Sequence, residues 1–195
     1  PEPRAILKAL ENALKTLSQP ISFITFSGNG EPTLHPDFDQ IVQKTIAIGK
    51  ALTPWAKTAI LSNSALVSNE ETRRSLCRLD LRIMKLDCGS EKVFKKYNQP
   101  WGGINLEAIT EGLVQLSRMA PVAIQTLIAV GKNGNFTSEN ISLWIERLKR
   151  IKPASVQLYT LDREAPAEDI RPASIHELTW IKSQAEKEGI SVDIF

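Results

Sequence analysis

Cysteine is nearly absent: Cys77 and Cys88 are the only two in 195 residues. That is too few for a disulfide framework or for a metal site built of cysteine alone, and it fits a reducing compartment. His35 and His176 are the only histidines; both stand where helices begin and are read as helix-entry residues, not metal ligands. An excess of one charge is lacking too. With 24 basic and 22 acidic residues the net charge is +2, so no global field recruits nucleic acid or an acidic membrane surface. No apolar run approaches the roughly 20 residues needed to cross a bilayer, and no basic segment followed by an apolar stretch stands at the start. The expectation is a soluble, cytoplasmic protein without a membrane partner and without support for nucleic acid. The sequons Asn135-Phe136-Thr137 and Asn140-Ile141-Ser142 then read as chance, because no secretory signal accompanies them.

What the chain does contain is apolar periodicity. Its hydrophobic content of 42% suffices for one core, and no composition break divides it, so residues 1–195 read as a single domain. Leu7, Leu10, Leu14 and Leu17 form a helical stripe, and Ile21 to Phe26 has the length and β-branched or aromatic content of a buried strand. Pro36 marks a helix bearing Phe38, Ile41, Val42 and Ile46, which fades before Thr53-Pro54. Further strands are expected at Ala59 to Leu61, Leu81 to Leu86, Val122 to Val130, Ser155 to Thr160 and Ile190 to Phe195. Between them lie helices opened by Ser68 with Glu71, carried by Leu106, Ile109, Leu113 and Leu116, capped by Thr137 or Ser138, and opened by Ser174 with Glu177. A short helix or loop at Lys95, Lys96 and Tyr97 and a long polar loop from Leu161 to Pro172 complete the chain. The almost wholly apolar strand at Val122 to Val130 suggests cover on both faces. Alternation of this kind specifies an α/β fold with a parallel sheet. A βα unit begins with its strand, yet the first helix here has none before it, so a strand is expected to be missing upstream.

Ligands of parallel sheets bind at the carboxyl ends of the strands. Those ends carry Gly28-Asn29-Gly30-Glu31, Ser62-Asn63, Lys85 to Gly89, Val130 to Asn133 and Tyr159 to Arg163. The glycines allow close backbone approach, and Glu31 would repel a phosphate, so an amino- or hydroxyl-bearing ligand suits this loop. Asn63 reads equally as a turn residue and Asp87 equally as a helix cap or a solvated acid. Cys88 reads as a small packed thiol, since no histidine lies near it in sequence. Lys92, Lys95 and Lys96 read as a solvated face, with an anionic substrate or partner as the other possibility.

Three segments add a resemblance. ITFSGNGEPTLHP is similar to the glycine-glycine-glutamate region at the second strand of radical S-adenosylmethionine (SAM) enzymes. MKLDCGSEKVFKKYNQP resembles the fourth-strand region of the branch called iron-sulfur oxidoreductases, and VQLYTLDRE resembles the sixth. The resemblance implies a partial (β/α)6 TIM-like barrel lacking its first strand. It implies that Gly28, Asn29, Gly30 and Glu31 meet the methionyl amino group of SAM and that Asp87, or more weakly Lys85, meets the ribose hydroxyls. Gln125, Val130, Tyr159 and Thr160 would flank the adenine, and Asn63 is a further cofactor-binding candidate. It further implies a [4Fe-4S] cluster, reductive cleavage of SAM to a 5′-deoxyadenosyl radical, hydrogen abstraction from an unnamed substrate, and an electron donor such as flavodoxin or ferredoxin. The family holds its cluster with CxxxCxxC after the first strand, and this chain has no such triplet. The expectation is therefore a truncated, inactive core that starts after the cluster loop and can self-associate through an exposed sheet edge. The alternative is a nucleoside-binding or protein-docking α/β module that has lost the cluster.

Overall fold

The computed structural model describes residues 1–162 and 169–195. The chain opens on helix α1, Pro3–Lys15, which buries Leu7 and Leu14 and ends before Leu17. Strand β1, Phe23–Phe26, leads into a 3₁₀ turn at Pro32–Leu34. Helix α2, Phe38–Leu52, starts two residues beyond Pro36. Strand β2, Lys57–Ser62, is longer than its apolar centre indicates. Helix α3, Glu70–Leu76, is capped by Asn69, whose side chain accepts from the Thr72 amide. The Ser68–Glu71 pair is thus displaced by one residue from the true cap, because a short acceptor at either position fits the pattern.

Strand β3, Leu81–Lys85, precedes the short helix α4, Glu91–Tyr97, and helix α5, Leu106–Met119. Then come β4, Ala123–Val130; α6, Ser138–Ile151, capped by Thr137; and β5, Ser155–Thr160. A two-residue strand β6, Arg171–Pro172, pairs antiparallel with β4. Helix α7, Ile175–Lys187, opens on the Ser174–Glu177 capping box, and β7, Val192–Ile194, closes the chain.

The sheet order is β1-β2-β3-β4-β5-β7, parallel throughout along this path. An order that never reverses, with right-handed crossovers, puts every helix on the same side of the sheet. Burial confirms it: β3 alternates half-buried Leu81, Ile83 and Lys85 with buried Arg82 and Met84. In β4, Gln125 and Leu127 are half-buried between Ile124, Thr126 and Ile128. The apolar run of β4 is therefore covered by helices on one face only. Its other face belongs to a concave inner surface, the lining of an open partial barrel.

The core lies between sheet and helices, around Ile60, Met84, Ile124, Leu113, Trp144 and Leu148. Two side chains of the chance sequons are part of it. Asn135 and Asn140 are 0% and 1% exposed, so neither is available for modification. Asn135 accepts from the Ala129 amide and donates to the carbonyls of Asp87 and Leu127. Asn140 accepts from the amides of Gly89 and Ser90 and donates to the Asn135 carbonyl. Together they fasten the exits of β3 and β4 to α6. No helix among the described residues is long and apolar enough to cross a membrane.

Candidate functional site

The loop after β1 is held by its one carboxylate. Glu31 Oε1 accepts from the Thr33 amide at 3.1 Å, the Thr33 hydroxyl at 2.6 Å and the Ser62 hydroxyl at 2.8 Å. Its Oε2 accepts from the Asn63 amide at 2.6 Å. Four donors match the capacity of a carboxylate. Glu31 thus ties the mouth of β1 to the mouth of β2, leaving outward acceptance to the loop's own carbonyls. Gly28 and Gly30 are exposed, and a Cβ built on either meets nothing within 4 Å. The glycines face open space where a ligand could lie against bare backbone.

Beside this loop, Ser62, Leu61, Asn63, Lys85 and Gln125 complete a hollow of about 360 Å³. Asn63 spends its side-chain oxygen on the Ala65 amide at 2.9 Å, the turn role open to it in the sequence. Lys85 is the one cation of the hollow. Its Nζ donates to the Tyr159 hydroxyl at 3.1 Å and lies 3.4 Å from Asp87 Oδ1. Burial alone would lower its pKa, but Asp87 and Tyr159 outweigh burial and hold it above the ordinary lysine value.

Asp87 lies behind the mouth, held within the fold. Its side chain is 1% exposed and lines none of the hollows at the strand mouths. Oδ1 accepts from the Leu127 amide at 2.9 Å and Oδ2 from Asn98 Nδ2 at 2.9 Å. Burial pushes its pKa up, against the pull of Lys85, Leu127 and Asn98. The unequal burial of the pair explains why the lysine gains from the contact while the carboxylate does not recover its lost hydration. In this structure Asp87 is a strut behind Lys85, and Lys85 is the member that reaches the mouth.

A second hollow, of about 430 Å³, joins Gln125, Tyr159 and Thr160 to Gln157, Leu161, Asp162 and Phe195. The register sets Gln125 beside both Lys85 and Gln157, forming a polar row across the inner face. Gln125 donates to Gln157 at 3.2 Å. Thr160 spends its hydroxyl inside the fold, donating to the Ile128 carbonyl and accepting from the Ala173 amide. Val130 stands apart, in a third hollow with Gly131, Lys132 and Arg171. Arg163 lies outside the described residues. A hollow of about 790 Å³ lies between α1 and α2, away from the strand mouths. Leu61, Gln157 and Phe195 are the site residues that sequence reasoning missed, whereas Ser62 stood among the strand-mouth residues; only inner-face positions mark the three, and those need the strand register.

Cys88 is fully buried, its Sγ donating to Asn98 Oδ1 at 3.2 Å, and burial together with Asp87 pushes its thiol well above the ordinary range. It is the inert packed thiol its surroundings imply. Among the described residues no group of three or more His, Cys, Asp or Glu could hold a metal ion. With only two cysteines, these residues do not fit an iron-sulfur cluster.

No family model matches the chain. Among solved structures it superimposes on a domain of pyruvate-formate lyase-activating enzyme from Bacteroides vulgatus, with a TM-score of 0.67 and 21% identity over 88% of this chain and 98% of that one. A radical SAM methyltransferase from Sphaerobacter thermophilus gives 0.71 and 13% over 99% and 56%. SuiB from Streptococcus suis, bound to S-adenosylmethionine, gives 0.71 and 13% over 100% and 44%. The chain has the radical SAM fold. In sequence it is 28% identical to a UPF0026 protein of Helicobacter pylori strain J99, over 97% of this chain and 59% of that protein. It is 32% identical to a UPF0026 protein of Synechocystis, over 75% and 52%. A protein of Brachyspira hyodysenteriae named GTPase Obg matches at 29%, over 97% of this chain and 27% of its own length. The chain thus spans less than two thirds of the curated relatives it matches. On the radical SAM fold, the Gly28–Glu31 loop and Lys85 lie at the strand mouths of one concave face.

Proposed function

We propose that this chain is the core of a radical SAM oxidoreductase and that its β1 mouth receives the methionyl end of SAM. The observation that carries the reading is the cradle at Gly28, Asn29 and Gly30. Its Cβ space is open and the Glu31 anchors fix it against β2, so that its backbone carbonyls would accept from an ammonium. SAM held there, with a [4Fe-4S] cluster supplied from outside this chain, would provide the radical chemistry for hydrogen abstraction. The cluster cysteines would come from sequence outside this chain, so these residues alone would not support turnover; the free thiols suit a cytoplasmic setting. The chain's own residues bind and orient. Lys85, fixed by Asp87 and Tyr159, places one positive charge on the inner face, and Gln125 and Gln157 set amide groups beside it.

Calorimetry of SAM binding to the full-length, cluster-loaded protein tests the cradle. Gly30→Ala should leave the urea midpoint unchanged yet weaken binding, because the added methyl occupies ligand space. Glu31→Ala, which frees the loop from β2, should weaken binding by about 1.5–3 kcal/mol. Parent affinity in both variants would remove the loop from the site.

The partner proposals are an electron donor of the flavodoxin or ferredoxin class and, for the isolated chain, a second copy. β1 ends the sheet path with its outer side unpaired, and Phe23 is 46% exposed there. An open parallel edge templates pairing. The isolated chain is expected to dimerise as concentration rises; a clean monomer by light scattering at high concentration would count against it.

A further inference from the structure

A net charge of +2 conceals a local concentration of lysines. Lys92, Lys95 and Lys96 are three and four positions apart on α4, which puts them on one exposed helical face. Lys96 donates to the carbonyl of Lys132, which joins α4 to the loop after β4. That bond is to a neutral acceptor, so the charge of Lys96 remains. Lys92 and Lys132 have no ion pair among the described residues. The one acid of α4 is Glu91, whose Oε2 accepts from the Leu106 amide and whose Oε1 lies 3.6 Å from Lys95 Nζ, so it neutralises at most one of the three α4 lysines. Near the fourth, Asp169 shares a hollow with Lys132 and Arg171.

Beside these lysines stands Trp101, 89% exposed, the most exposed large apolar side chain described. The backbone around it takes a left-handed conformation at Gln99 (φ 46°), Gly102 (φ 70°) and Gly103 (φ 78°). A glutamine in that region is strained, so the turn holds the indole outward at a conformational cost instead of folding it onto the core. The same loop and Lys95 line a groove of about 460 Å³ that also includes Pro100 and Ile104. All of this follows the exits of β3 and β4, at the end of the sheet where the ligand hollows open.

We propose that α4, Trp101 and the loop carrying Lys132 form a docking surface for single-stranded RNA beside the site mouth. Lysines at the rim would track phosphates, while an indole with no apolar neighbour to cover offers a flat stacking platform for a base. An acidic polypeptide would be met by the lysines but gives no use to a bare indole beside them. This surface is independent of the cofactor reading, and SAM affinity measured on the same variants keeps the two separate.

The test is fluorescence anisotropy of the full-length protein with labelled oligouridine of about 12 nucleotides. Binding is expected at low salt, with a log–log salt slope of about −2 to −3 from three or four phosphate contacts. Lys92→Glu with Lys95→Glu and Lys96→Glu should weaken it at least tenfold and flatten the slope. Trp101→Ala should weaken it about 5- to 150-fold while leaving the slope unchanged. These side chains are exposed, so thermal melts should match the parent. The proposal is overturned by absence of binding at low salt, by parent affinity in the charge-reversal variant, by an unaffected Trp101→Ala, or by polyglutamate competing as well as RNA.

Discussion

Asp87→Ala is expected to destabilise the protein, in the absence of any ligand, by about 3–5 kcal/mol, the range for removing one member of a buried, hydrogen-bonded charge pair. Three groups lose their partner. The Leu127 amide, inside β4, donates to Asp87 and carries the largest share, since an orphaned buried donor costs about 1–3 kcal/mol. Asn98 is exposed and can turn to water, and Lys85, with 28% of its side chain accessible, keeps its bond to Tyr159. The emptied volume adds the rest. Asp87→Asn should cost less, because burial already works against the charge and the amide oxygen can still accept from Leu127. Urea midpoints of the two variants check both the size and the order. A residue present only to meet a ribose would leave unliganded stability within about 0.5 kcal/mol of the parent, and that outcome would return Asp87 to the mouth.

The contrast between Asp87 and Glu31 shows what a sequence can disclose. Strand ends and helix starts are local patterns, so the α/β order and the Ser174–Glu177 box are legible within a few residues. Both carboxylates stand just beyond strands, and nothing local separates them. Asp87 is buried because Asn98, eleven residues on, and the Leu127 amide, forty residues on, close over it. Glu31 meets Ser62 and Asn63 across a gap of more than thirty residues. Periodicity carries no information at those separations. The same limit hid Gln157, which becomes a neighbour of Gln125 only once β4 and β5 are in register. One-sided helical cover of β4 was obscured differently: Leu127 is apolar on the inner face and only half-buried there, and a run of that kind looks the same as one packed on both sides.

Glycine gives the sharper case, because Gly28, Gly30 and Gly89 all stand at strand mouths and differ wholly in surroundings. A Cβ at Gly89 would stand 2.1 Å from the Trp144 amide nitrogen, 2.3 Å from the Asn140 carbonyl oxygen and 2.5 Å from the Leu143 carbonyl carbon. All three are backbone atoms of α6, so no side-chain rotation relieves the overlap. α6 itself is fastened by the core contacts of Ile141, Trp144 and Leu148 and by the Trp144 indole, which donates to the Leu86 carbonyl at 3.0 Å. Moving the helix would also break the bonds Gly89 makes through its amide to Asn140 and through its carbonyl to Arg147. Gly89→Ala is therefore expected to cost at least about 3 kcal/mol, the upper end for overpacking, where yielding side chains usually hold the cost lower. Gly28→Ala, with nothing within 4 Å of its Cβ, should melt with the parent. If Gly89→Ala also melted with the parent, the close contact between the β3 exit and α6 would not exist in solution. The Asp87–Lys85 arrangement would then lose part of its support, because Leu86, Gly89 and Ser90 all bond to side chains of α6.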